Sequence, residues 1–144
     1  MAYRISYLER NAALNGAAAL FNQGGNPSVS SINIYSTATT QPASPEAGVP
    51  PGSVLLVNIP FNSTAFNSAV SGVITANALP YSGTVSTTGT ASWFSFINGA
   101  SSPAMLSNGT ITVNGSGGDM TFNNINFVQN GVVVINNLSI SQPM

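Results

Sequence analysis

The 144-residue chain has no histidine, no cysteine and no lysine; its only cationic side chains are Arg4 and Arg10, and its only acids are Glu9, Glu46 and Asp119. Each absence removes a class of chemistry. Without His or Cys, neither a Ser-His-Asp nor a Cys-His constellation can be assembled, and a zinc site would need carboxylates alone. A carboxylate pair for glycoside hydrolysis would have to be drawn from three acids, of which Glu9 belongs to a helix start and Glu46 to a Pro-rich loop. The chain therefore reads as non-enzymatic, with no cofactor and no metal. Two arginines cannot supply the phosphate neutralisation that carries most nucleic-acid affinity, so nucleic acid is not an expected partner. No window approaches the roughly 18–20 apolar residues of a membrane-spanning helix, and the N-terminus lacks the apolar core of a signal peptide. With no thiols, the redox compartment leaves no mark on the sequence.

What is present is a chain with material for a core and almost no charge. Apolar residues make up 43%, an ordinary share, whereas charged residues make up 3% where about a quarter is usual. Low hydrophobicity with high net charge marks disorder, and this chain has neither, so it is expected to fold as one domain. Ser, Thr, Asn and Gly stand where charges usually do. A net charge of −1 leaves little repulsion between copies, so a homo-oligomer is expected.

The N-terminal segment differs from the rest. Ser6 followed by Glu9 is a capping-box pattern that starts a helix near Tyr7, and Gly24-Gly25 before Pro27 is a plausible stop. Tyr7, Leu14 and Phe21 recur at seven-residue spacing with Ala17 and Ala18 beside them. Arg10, Asn11 and Asn22 are assigned to the opposite, polar side. The chain thus divides into a helical arm over 1–25 and a β-domain over 26–144. The apolar stripe can pack on the chain's own sheet or dock on a neighbouring subunit.

Val29–Tyr35 alternates as a half-buried strand does, and Val54–Ile59 is a short buried run ended by Pro60. Between them 37–52 holds Pro42, Pro45, Pro50 and Pro51, too many breakers for a helix or a central strand, so it reads as a long surface loop of the kind that often carries function. In the mixed stretch that follows, Phe66 is the expected inward anchor, and Val73–Leu79 resumes strand character. Residues 81–90 read as an exposed edge or a loop. Gly89–Ile97, with the only Trp, has bulky apolar residues at both parities, as in a central strand covered on both faces. Beyond it, Asn98-Gly99, Asn108-Gly109, Asn114-Gly115 and Asn130-Gly131 read as hairpin turns separating antiparallel strands at 104–106, 110–113, 120–128 and 132–140, with a bulge near Asn123-Asn124. The expected fold is all-β, an antiparallel β-sandwich or jelly-roll-like domain with an N-terminal α-helix.

Two further features have some of the makings of a site. Gly115-Ser116-Gly117-Gly118-Asp119 offers one hard oxygen where calcium sites gather several, and reads as a turn. Trp93, Tyr35 and Tyr81 would suit an aromatic sugar platform, but Trp93 lies among Phe94, Phe96 and Ile97 and reads as core.

The blocks Glu9–Gly16, Ile32–Ser36, Gln41–Ala47, Ser53–Leu56, Phe66–Ala78 and Gly89–Phe94, followed by a Gly-rich turn with Asp119, resemble in content and order a family of small tailed-bacteriophage virion structural proteins. The resemblance runs over nearly the whole chain. It implies a virion component, foremost a capsid decoration or cement protein on the capsid surface, made in the host cytoplasm and bound to the major capsid protein or other virion proteins. A tail, baseplate or fibre component and a carbohydrate-binding host-recognition module are the alternatives. The helix and the Pro-rich loop are the candidate contact elements, through Tyr7, Leu14, Phe21, Pro42, Pro45 and Glu46. This chain departs from the family in carrying fewer charges.

Overall fold

The structure, a computed structural model, describes residues 4–22, 29–36 and 40–142. It is mostly β with one N-terminal helix. Among the described residues the helix α1 (Tyr7–Phe21) precedes ten strands: β1 (Ser31–Ser36), β2 (Leu55–Pro60), β3 (Val73–Thr75), β4 (Tyr81–Thr84), β5 (Gly89–Ile97), β6 (Met105–Val113), β7 (Met120–Phe122), β8 (Asn126–Phe127), β9 (Val132–Ile135) and β10 (Ser139–Ser141). The main sheet runs β2-β1-β5-β6-β7 with β8 paired to one end of β5, and two short ladders join β10 to β3 and β4 to β9.

β5 is the hub, because it pairs with β1, β6 and β8. Its two parities face different surroundings. Phe94 and Phe96 lie opposite Ile34 and Ile32, which in turn lie opposite Val57 and Ile59, and these six fill the main core. Trp93 lies opposite Tyr35 on the other face, and the two rings stack at 4.1 Å. That second face is covered by the Pro-rich segment. Pro42 is buried, and its carbonyl accepts a hydrogen bond (3.2 Å) from the Asn108 amide, itself opposite Ser95. The segment 40–52 is thus a surface loop anchored at Pro42, and Pro45–Ala47 forms a single 3-10 turn within it.

The helix begins where the capping pattern places it, with the Ser6 hydroxyl accepting the Glu9 N–H at 3.1 Å. The expected stop at Gly24-Gly25 and Pro27 lies outside the described residues. The buried stripe is Arg10, Leu14, Ala18 and Phe21, spaced by about one helical turn, and Tyr7 is 58% exposed. The division into an arm and a separate domain is therefore corrected: Phe21 packs its ring on Phe66 (5.0 Å) and Phe96 (5.3 Å), inside one core shared with the strands.

The polar side of the helix is also redrawn. Asn11, Asn15 and Asn22 use their side-chain oxygens to accept backbone N–H groups of Gly72 (2.7 Å), Ala69 (2.7 Å), Ala65 (2.7 Å) and Phe66 (3.0 Å). Asn22 also donates to the Phe66 carbonyl. These amides supply partners to an irregular stretch that has few strand bonds of its own, which is how its backbone is satisfied. Arg10, assigned to the solvent side, is 7% exposed, with its guanidinium over the Tyr7 ring at 4.3 Å and against Gly72. Its aliphatic stem can line the core while its head stacks on an aromatic face.

One expected turn and one expected antiparallel pairing fail for identifiable reasons. Asn108-Gly109 lies inside β6; a Cβ at Gly109 would meet the Phe94 ring at 2.7 Å, so this glycine admits an aromatic side chain rather than a turn. After Asn114, the Gly-rich stretch doubles back along β6, held by Gly118 N–H to Thr112 Oγ1 (2.9 Å) and by Asp119 to Thr110. Positive φ at Gly115 and Gly117 permits the tight reversal. β7 consequently runs parallel to β6, and the sheet is mixed, not antiparallel throughout. The stretch 120–128, expected as one strand bulged near Asn123-Asn124, instead ends there and splits into β7, paired with β6, and β8, paired with β5, and 132–140 divides into β9 and β10.

Candidate functional site

The six sequence-derived contact residues do not converge. Leu14 and Phe21 are each 6% exposed within the chain's own core, and Pro42 is buried under the second face of the sheet. These three offer no surface to a partner in this fold, which corrects their selection. Tyr7 and Glu46 are exposed and Pro45 is half-buried. The Glu46 carboxyl is held below the usual carboxylate range by its own backbone N–H and then by the Ser44 side chain, so it serves its own turn.

Trp93 is 1% exposed and supplies no sugar platform. Its indole Nε1, with Ser95 Oγ, Ser36 Oγ and Gln41 Oε1, is buried without a hydrogen-bond partner among the described residues. Tyr81 is buried too, its hydroxyl reaching the carbonyls of Asn77 and Ala65, and burial pushes its phenol above the usual range. Among the described residues, no three His, Cys, Asp or Glu side chains gather as a metal site would require. No helix of the described residues is long and apolar enough to cross a membrane.

Two surface features stand out instead. One is a cleft of about 500 Å³ between β7 and the stretch running from β9 to β10. It is lined by Asn114, Asn123, Asn136, Asn137 and Asp119 around the half-buried Phe122. The Asp119 carboxylate accepts the Thr110 N–H (2.9 Å) and hydroxyl (2.8 Å), and these bonds, the backbone one first, hold its pKa below the usual range. The cleft thus presents amide donors and acceptors with one fixed anion and no cation. Such a surface suits neutral, hydroxyl-rich ligands better than charged ones.

The second feature is β9. Among the described residues it pairs only with β4, and its Val132 and Val134 side chains are exposed while Val133 and Ile135 are buried. With the exposed Val128 they border a second concavity of about 310 Å³ floored by Phe122 and Phe127.

Sequence reasoning placed a strand over these residues without marking them functional. The available signal was the run Val132-Val133-Val134-Ile135, four β-branched residues with no charge or Pro in a chain otherwise rich in polar residues. The cleft left no comparable signal, because its asparagines come from three separate stretches brought together by the parallel return of β7. Comparison with family models, curated proteins and solved structures found no match to this chain.

Proposed function

We propose that this protein is a non-enzymatic structural subunit of a bacteriophage virion, foremost a decoration or cement protein bound in many copies to the capsid shell. The observation that carries the reading is the character of the surface. Five charged side chains serve the whole chain, and large aliphatic side chains such as Leu8 (81% exposed), Val70 and Val132 stand in a field of Asn, Ser and Thr. Such a surface can be covered by neighbouring subunits without stripping water from ions, which costs several kcal/mol per charge. Repetition over a shell then adds avidity to weak individual contacts.

Quantifying the chain in purified particles by mass spectrometry, with its position read by electron microscopy, tests the reading. Hundreds of copies on the shell support the decoration role. A few copies at one vertex assign it to the tail, baseplate or fibre, and absence from particles overturns the virion reading.

The amide-lined cleft favours a second reading, a carbohydrate-recognition module. Asparagine and aspartate side chains around one aromatic ring match the hydroxyl groups and apolar faces of sugars. Calorimetric titration with neutral oligosaccharides tests it. Binding that is lost in Asn123→Ala supports the cleft, and no heat with any glycan removes it.

A further inference from the structure

The open edge of β9 has a definite register. Val85 N–H donates to the Gly131 carbonyl at 2.8 Å, and the β4–β9 ladder continues without a shift through Gly83 opposite Val133 and Tyr81 opposite Ile135. In an antiparallel pair, hydrogen-bonded and non-bonded positions alternate. Val133 and Ile135 therefore turn their backbone groups toward β4, and Val132 and Val134 turn theirs outward. Among the described residues these outward N–H and C=O groups have no partner. Native edge strands are usually blunted by Lys, Pro, a bulge or a covering element. β9 carries no Lys, Pro or bulge, and among the described residues no strand pairs with its outer edge, which borders the concavity lined by Phe122, Phe127 and Val128.

We propose that β9 is a self-association edge, pairing antiparallel with β9 of a second copy of this chain about a two-fold axis at Val133. This register sets Val132 opposite the second copy's Val134 and the reverse, so four outward backbone groups on each side find partners and four exposed valine side chains meet on one face. The sequence Val132-Val133-Val134 reads the same in both directions, so each side chain meets its own kind. Two two-stranded ladders become one four-stranded sheet.

Charge decides for a second copy over an unlike partner. An ordinary protein surface would bring charged residues against an edge that carries none to answer them, whereas the β9 edge of a second copy brings none. The pairing names the contact through which the virion subunits proposed above would meet, and in that sense rests on that reading.

Sedimentation equilibrium of the purified chain across the micromolar range gives the test. Wild type is expected to form dimers. Val134→Pro removes an outward N–H that the subunit itself does not use, and is expected to give folded monomers. Val132→Lys/Val134→Lys sets Lys against Lys and is expected to raise the dimer dissociation constant about tenfold or more. Val132→Glu/Val134→Lys carries the same number of new charges but sets Glu against Lys, and is expected to restore pairing.

A wild-type chain that stays monomeric, or one that gains mass only in the presence of another protein, overturns the proposal. So do equal dissociation constants for the Lys/Lys and Glu/Lys variants. A chain that dimerises in this register but is missing from purified particles leaves the edge contact standing and removes the virion reading. A chain abundant in particles but monomeric alone does the reverse.

Discussion

Trp93 and Gly109 sit on opposite faces of the β5–β6 pair, and each constrains a neighbour in a way that substitution can measure. Trp93 stacks on Tyr35, and its indole N–H makes no hydrogen bond among the described residues. Its worth is therefore packing. Trp93→Ala should lower unfolding stability by about 3–5 kcal/mol, whereas Trp93→Phe, which keeps a ring and removes an unpaired donor, should cost less than about 1.5 kcal/mol, both read by denaturant melts. Equal losses would mean that the indole nitrogen is satisfied in solution. Gly109→Ala should cost about 1–3 kcal/mol by overpacking against Phe94. The sequence marked Trp93 correctly, since bulky residues at both parities of one strand demand cover on both faces. It misled at Gly109, because a glycine that makes room for a ring and a glycine that makes a turn look alike beside asparagine.

At the scale of elements, α1 belongs to the core on one side and clasps the 65–72 backbone with asparagine amides on the other. Deleting residues 1–22 should therefore abolish cooperative thermal unfolding rather than release an intact β-domain. A truncated chain with an unchanged melting profile would restore the independent-arm picture. Asn22→Ala, which strips two backbone N–H groups and one carbonyl of their partner, should cost about 1–3 kcal/mol. The cap at Ser6 was legible because capping is local. The buried stripe was legible only in part, since heptad spacing selects Tyr7 while the strand surface beneath the helix selects Arg10. The parallel return of β7 was not legible, because Asn-Gly signals a reversal without fixing where the returning chain will pair. The cleft that depends on that return stayed hidden with it.

For the whole molecule, the scarcity of ionisable groups sets the response to pH. With no His, Cys or Lys, no side chain titrates near neutrality. Asp119 and Glu46 have lowered carboxyl pKa values in the folded state, so their contributions are present above the ordinary carboxylate value of about 4 and are lost as pH falls through the folded values. Tyr81 has a raised phenol pKa, so stability declines only as pH rises past about 10, where the unfolded chain ionises first. The melting temperature should thus form a plateau from about pH 5 to 9. Asp119→Asn should flatten part of the acid slope, and a melting curve that moved across neutrality would contradict the assignment. The hub position of β5 also governs how the chain reaches this state. β1 and β5 are separated by the Pro-rich loop and three other strands, yet they are direct neighbours in the sheet. A large loop must close before that pairing rewards it, which places folding on the order of milliseconds to seconds rather than microseconds. During synthesis β1 leaves the ribosome well before β5, and until β5 arrives its Ile32-Asn33-Ile34-Tyr35 run has only β2 beside it, the interval in which the nascent chain is most open to unwanted pairing.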